Sequence, residues 1–305
     1  MIEFVNAKIN LGLQVVNRRE DGYHDLQTVF YPVGVYAGTP QNPEVFCDIL
    51  EVSERGAKGE ERGERDCFEV VMSGRKVDCP LEKNLVYKAA KLFYDTFHPD
   101  FKVRIGLHKN LPDGAGMGGG SADASFTLKA LAGIYNARTS SNPFDDSSLE
   151  TLALRLGADC PFFIKNRPAY AEGVGEKLEP IDLDLSGYWL LVVKPDIYIS
   201  TKEAFAGVTP KPADFDLRQL ASIPIKKWQG LVHNDFEDSI FPNHPEMAEI
   251  KLKLIDTGAL YASLTGSGSC LYGIYKNLPI AENAREVFED YQTWVLELTL
   301  LDFPC

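Results

Sequence analysis

Apolar and polar positions alternate from Phe4 to Asn17: Ile9, Leu11, Leu13 and Val15 fall on one face, and Lys8, Asn10, Gly12 and Gln14 on the other. This two-residue period predicts a half-buried strand. Lys8 and Asn10 then project from one side, next to a glycine that leaves room for another group to approach. The plain alternative is a solvated face. Asp21-Gly22 signals a turn, with Tyr23 and His24 at its mouth, and Leu26 to Val35 reads as a second strand. A short apolar segment runs from Val45 to Val52, and Phe68 to Met72 reads as a strand. Asn84 is placed to cap a helix carrying Leu85, Ala89, Leu92 and Phe93, and Phe101 to Leu107 alternates again.

Further on, Ser147 and Glu150 form a capping-box pattern ahead of a buried stripe, Leu149, Leu152, Ala153 and Leu156, that stops at Gly157. Asp159 follows that stop and precedes Cys160-Pro161 and an apolar strand from Phe162 to Ile164. Its carboxylate is therefore expected at a tight junction, where a turn-stabilising role is the plain alternative. Two short strands around Ala169 to Leu178 are linked through Gly173-Val174-Gly175. Next come an apolar strand from Tyr188 to Val193, a helix capped by Ser200 with Glu203, and helical stretches at Leu217 to Ile223 and Lys227 to Val232. Pro245 opens a helix that runs through Ile255 and ends near Gly258. Ala259 to Thr265 and Leu271 to Tyr275 read as paired strands joined by Gly266-Ser267-Gly268, followed by a helix from about Ala281 and a closing strand from Trp294 to Leu300. This order predicts an antiparallel sheet covered by helices, an α+β unit.

The most informative stretch, Leu111 to Ala124, reads Leu-Pro-Asp-Gly-Ala-Gly-Met-Gly-Gly-Gly-Ser-Ala-Asp-Ala. Its glycines permit positive φ and close backbone approach. Ser121 is placed to cap a helix whose apolar residues Ala122, Phe126, Leu128, Leu131 and Ile134 recur near helical spacing. A glycine loop feeding a helix N-terminus favours an anion, because unpaired N–H groups and the dipole end both attract negative charge. A Walker A loop is excluded, since Ser121 follows three glycines with no lysine. Gly114 to Gly119 formally fits the dinucleotide fingerprint. Pro112 interrupts the strand-to-turn passage, however, and Ile134 to Ser141 has no acid for a ribose. A flexible linker would lack the helix.

A chain of 305 residues allows about two domains, and 45% hydrophobic with 25% charged residues is ordinary for a globular protein. A formal charge of −13 argues against a broad nucleic-acid surface, so an anionic ligand must be held by local lysines and backbone donors. Neither a secretory leader nor a membrane-length apolar run is evident, which makes the cytoplasm the default location. Six cysteines without a paired or zinc-type spacing predict free thiols. The charged, glycine-interrupted run from Ser53 to Asp66 reads as a mobile surface loop.

Taken together, Ala7-Lys8-Ile9-Asn10-Leu11, Asp21 to His24, Leu111 to Ser121, Leu156 to Phe163, Ala171 to Glu176 and Leu264 to Cys270 resemble the GHMP superfamily of small-molecule kinases. The resemblance implies an α+β, two-domain GHMP kinase fold: residues 1–166 as an ATP-binding, ribosomal protein S5 domain 2-like N-terminal domain, and 167–305 as a ferredoxin-like C-terminal domain contributing to the substrate site. It implies ATP and Mg2+ as cofactors, with the acceptor 4-diphosphocytidyl-2-C-methyl-D-erythritol phosphorylated on its 2-hydroxyl. The expected partner is the small-molecule acceptor, with no nucleic acid and no membrane, and the expected state is a monomer or weak homodimer. Lys8 and Asp159 match the catalytic pair. Pro112, Asp113, Gly114, Ala115, Gly116, Met117, Gly118, Gly119, Gly120, Ser121 and Ala122 match the phosphate loop, and Asn84 is a further ATP contact. Asn10, Tyr23, His24, Thr201 and Phe205 match the acceptor site, with Tyr23 and Phe205 stacking on the base. Gly119 and Gly120 depart from the hydroxyl residues most members carry there, leaving the metal ligand unassigned. Asp113 stands where an apolar residue is usual and is expected to point away from the phosphates.

Overall fold

The computed structural model describes residues 1–39, 42–55, 67–139 and 144–299. Most of the charged run, from residue 56 to 66, lies outside them, as does the end of the predicted closing strand. Among the described residues, no helix is long and apolar enough to cross a membrane.

Two compact units interleave along the chain. The first gathers residues 1–6, 47–111 and 119–165, and the second gathers 7–46, 112–118 and 166–305. The predicted strand from Phe4 to Asn17 is accordingly two strands. Ile2–Val5 pairs with Asp48–Glu54 in the first unit, and Lys8–Arg18 pairs with His24–Pro32 in the second. Alternation continues through the break at Asn6-Ala7, so it could not reveal the change of partner.

In the first unit a four-stranded sheet runs in the order Ile2–Val5, Asp48–Glu54, Val103–Lys109, Phe68–Gly74. Helices Leu85–Phe97 and Gly119–Arg138 pack against each other, joined by Phe93, Phe97, Tyr135 and Phe144 in edge and tilted ring contacts. Helix Gly119–Arg138 is buried nearly all round from Ala122 to Leu128 rather than along one stripe, because small residues let neighbours close in on every side. Asp145, not Ser147, caps the next helix, Asp146–Leu154: its carboxylate accepts from Ser148 N, and the Ser148 side chain returns the bond. Phe162 to Ile164 belongs to a short helix, Phe162–Lys165, instead of a strand. An apolar run this short has no period to distinguish the two.

The second unit holds two sheets. One runs Lys177–Pro180, Ala169–Glu172, His24–Pro32, Lys8–Arg18, and the other runs Tyr261–Leu264, Leu271–Tyr275, Trp189–Lys194, Gln292–Glu297, Tyr36–Thr39, Asn42–Val45. The predicted late hairpin is present, with Leu264 opposite Leu271. The core of this unit gathers Leu13, Val15, Leu191, Val193, Phe236, Met247, Ile250 and Val295. Leu217–Ser222 and Ile225–Gly230 are 3-10 turns rather than α-helices. The room beside Gly12 is taken by the protein itself, because a Cβ there would meet the Leu217 and Val232 side chains at 2.8 Å.

Candidate active site

Residues 112–118 form the glycine loop of the second unit, and Gly114, Gly116 and Gly118 adopt φ of 58°, 70° and 72°. Four successive carbonyls of this loop are held by that unit. Gly114 O accepts from Ser269 N at 3.0 Å, Ala115 O from Cys270 N at 3.3 Å, and Met117 O from Lys8 N at 2.9 Å. The Thr265 hydroxyl donates to Gly116 O at 3.2 Å. Among the described residues, none of the N–H groups of residues 114–118 donates to a protein acceptor. Three of these carbonyls turn to the hairpin and one to Lys8 N, and N–H groups left over in this way can serve as a nest for an anion. The helix begins at Gly119, so Ser121 lies within its first turn and does not cap it. Pro112 is half-buried, Asp113 exposed and Ala122 buried.

In the first unit, the chain on either side of the loop is fastened by a charged cluster that the sequence did not announce. The Asp48 carboxylate accepts from Asn110 N at 2.6 Å, Leu111 N at 2.9 Å and the Lys109 ammonium. Lys109 Nζ also donates to Asp123 Oδ2 at 2.8 Å, on the first turns of the helix. All three side chains are buried, and Asp123 Oδ1 has no partner. Burial pushes the Asp123 carboxyl up to about 8, against the pull of Lys109. A carboxyl raised by folding contributes stability that is present below its unfolded pKa near 4 and is lost as pH rises toward 8. Asp123→Asn removes that titration. In urea melts the stability of the variant relative to wild type should therefore climb between about pH 4 and pH 8, and a constant gap would mean that Asp123 is ionised throughout.

Lys8 and Asn10 do project from the same side, but onto a buried face. They are 3% and 2% exposed, and Lys8 Nζ donates to Asn10 Oδ1 at 2.6 Å. Lys8 also lies 4.7 Å from the centre of the Phe30 ring. Asn10 Nδ2 donates to the Thr28 hydroxyl at 2.9 Å, Asn10 N donates to Thr265 Oγ1 at 3.1 Å, and Tyr272 Oη donates to Asn10 O at 2.7 Å. Thr265 thereby links Asn10 to the glycine loop. Its place in the late glycine hairpin was the only sequence signal for it.

Asp159 belongs to the first unit, in the turn at residues 158–161. That turn is pinned to the loop helix through Ser125, whose hydroxyl lies 2.7 Å from Cys160 O and 2.9 Å from Ser121 O. Burial pushes the Cys160 thiol up to about 11, so it is no nucleophile. Asn84 caps helix Leu85–Phe97, with Oδ1 accepting from Val86 N at 2.8 Å, and lines a cleft of about 370 Å³ with Ser73, Arg75 and Lys76.

The aromatic and acceptor-site residues fall within the second unit. His24, rather than Tyr23, lies on Phe205, with ring centres 4.6 Å apart and planes 17° from parallel. Tyr23 is 65% exposed on the turn. Phe205 also meets the buried Phe236 edge-on at 4.8 Å. Thr201 opens helix Thr201–Ala206, which Ser200 caps by accepting from Glu203 N at 3.1 Å, as the sequence predicts.

Residues 84–167 match the GHMP kinases N terminal domain family, and residues 219–292 match the GHMP kinases C terminal family. The chain is 42% identical over 291 residues to 4-diphosphocytidyl-2-C-methyl-D-erythritol kinase of Bacteroides thetaiotaomicron, covering 94% of this chain and 98% of that protein. It is 40% identical over 299 residues to the enzyme of the same name from Parabacteroides distasonis, covering 98% and 100%. A crystal structure of 4-(cytidine 5'-diphospho)-2C-methyl-D-erythritol kinase superposes with a TM-score of 0.76 at 30% identity, covering 97% of this chain and 99% of that one. With likeness of this extent in both sequence and fold, the chain belongs to the GHMP kinases and, within them, to the 4-diphosphocytidyl-2-C-methyl-D-erythritol kinase family.

Proposed function

We propose that the protein transfers the γ-phosphoryl group of ATP to the 2-hydroxyl of 4-diphosphocytidyl-2-C-methyl-D-erythritol, giving the 2-phosphate and ADP. The observation that carries this reading is the glycine loop, whose carbonyls are tied inward and whose N–H groups remain for phosphate oxygens. Relatives named for this reaction, matched over nearly the whole chain, supply the acceptor.

Phosphoryl transfer needs alignment and stabilisation of spreading charge more than covalent help. Asp159 is the group we assign to accept the proton of the attacking hydroxyl, and Lys8 the group that favours the developing alkoxide. Its bond to Asn10 and its burial give that ammonium a single position. Magnesium supplies charge neutralisation on the phosphates of ATP when bound. Gly119 and Gly120 offer it no side chain and Asp123 is committed to Lys109, so no protein ligand is assigned. On this reading residues 1–166 carry the nucleotide machinery, and residues 167–305 add Thr201 and Phe205 to acceptor recognition. We place the enzyme in the cytoplasm, with which the free state of the five described cysteines agrees.

The test is an ADP-release assay with the purified protein on the cytidyl acceptor, homoserine and mevalonate. Turnover confined to the latter two would overturn the acceptor. Recognition of the base has its own prediction. If Tyr23 and Phe205 stack on cytosine, Tyr23→Ala or Phe205→Ala should weaken the cytidyl substrate by roughly 5- to 150-fold, from about 1 to 3 kcal/mol per stacked ring, with ATP affinity unchanged. Tyr23 is the cleaner probe because its exposed ring adds little to stability. Phe205 packs on Phe236, so a fall in melting temperature with parallel weakening of ATP would assign it to the core instead.

A further inference from the structure

Away from every residue assigned above, the second unit contains a polar cavity of about 310 Å³, lined among others by Gln14, Lys211, Gln229, His233, Asp235 and Asp238. Strand Lys8–Arg18 and the segment after it in space are fastened side by side. Leu13 N donates to His233 O at 2.9 Å, Asp235 N donates to Leu13 O at 2.8 Å, and Val15 N donates to Asp235 Oδ2 at 2.7 Å. Leu13 and Val15 face the core, so by strand alternation Gln14 turns to the opposite side, which is the cavity.

One side-chain ligand atom each from His233, Asp235 and Asp238 lie within 4.8 Å of one another. Such a cluster means little alone. The second observation is Gln14. It is 6% exposed, its Nε2 donates to Phe215 O at 3.0 Å, and its Oε1 is buried with no partner. The carbonyl at Phe215 can only accept, so the amide orientation is settled and the lone group is an oxygen. A buried carbonyl oxygen without a donor is a standing cost that a cation would remove.

We infer that His233, Asp235, Asp238 and the Gln14 carbonyl oxygen form a binding site for one first-row divalent cation. Zinc bonds of about 2.0–2.2 Å place neighbouring ligand atoms roughly 3 to 4 Å apart. His233 Nε2 and Asp238 Oδ1 are already 3.1 Å apart. The remaining gap closes by movement of His233 and Asp238, whose side chains are 42% and 66% exposed, while Asp235 stays anchored on Val15 N. Behind the imidazole, Glu237 Oε2 lies 3.7 Å from His233 Nδ1, where a carboxylate orients a ligating ring. The two lysines lining the cavity are each engaged by another acid, Lys211 by Asp214 at 2.9 Å and Lys251 by Glu237. One imidazole with three oxygens suits zinc, cobalt or manganese better than the all-oxygen shells that calcium and magnesium prefer.

The test titrates Co2+ into the purified full-length protein, reading visible absorption for stoichiometry and ligand type and thermal melts for linkage. One Co2+ per chain is expected, with no thiolate charge-transfer band and a melting temperature that rises with metal. His233→Ala and Asp238→Asn, both at partly exposed positions, should each weaken binding at least ~10-fold without changing kinase turnover. Zn2+ in calorimetry should follow the same pattern. Absence of Co2+ binding, binding unchanged in both variants, or a thiolate band tracing the metal to exposed Cys67 or Cys79 would each overturn the site.

Discussion

Asp159→Asn is expected to lower kcat at least ~100-fold while ATP binds nearly as before, the pattern of a group that acts on the reacting hydroxyl rather than on the nucleotide. Asparagine keeps the size of the side chain and its capacity to accept a hydrogen bond, and removes the charge that takes up a proton. The turn is also tied to the loop helix by the bond from the Ser125 hydroxyl to the main-chain carbonyl of Cys160, which asparagine at 159 leaves in place. Steady-state ADP release and an equilibrium ATP titration on the same preparation check both halves. Normal turnover would remove Asp159 from the mechanism. A falling melting temperature with weaker ATP binding would instead make it the turn-stabilising aspartate that sequence alone allows.

What was legible in the sequence was local. Asn84 and Ser200 cap helices and Pro245 opens one, as their positions predict, because each signal acts within a turn of the residue that carries it. The glycine loop was legible for the same reason. What stayed hidden depends on distant partners. Tyr36–Thr39 and Asn42–Val45 extend the sheet built otherwise from residues beyond 188, a pairing that no alternation pattern specifies. The polar face of Lys8 and Asn10 was as consistent with solvent as with a site. Thr265 and Tyr272, more than 250 residues away in sequence, remove the solvated-face alternative by closing over Asn10. Asp48, Lys109 and Asp123 sit in three separate segments, and only the folded first unit makes them one cluster. A faint signal existed, since Asp48 and Asp123 each interrupt an otherwise apolar or small-residue run, where an unpaired charge would be costly.

Gly116→Ala should disable the loop, and comparison with Gly114→Ala isolates the reason. Both glycines have positive φ, 58° at Gly114 and 70° at Gly116, so alanine at either costs about 1 to 2 kcal/mol in the left-handed region. They differ in what the new methyl meets. At Gly114 it would lie 3.3 Å from the ring of Tyr198, which is 76% exposed and can swing aside. At Gly116 it would lie 2.0 Å from the carbonyl oxygen of Thr265 and 3.1 Å from Gly268 N, both main-chain atoms of the hairpin that holds the loop. Relief requires the loop to move off Thr265, breaking the hydroxyl's bond to Gly116 O, at a further cost of roughly 1 to 3 kcal/mol. The same displacement moves the N–H groups that the proposed function assigns to phosphate. Gly116→Ala is therefore expected to lose about 2 to 5 kcal/mol of stability and at least ~10-fold in ATP affinity, while Gly114→Ala keeps most of both. Urea melts and ATP titrations of the two variants decide it. Equal losses would mean that conformational strain alone governs the loop, and intact ATP affinity in a folded Gly116→Ala protein would remove the loop from phosphate binding.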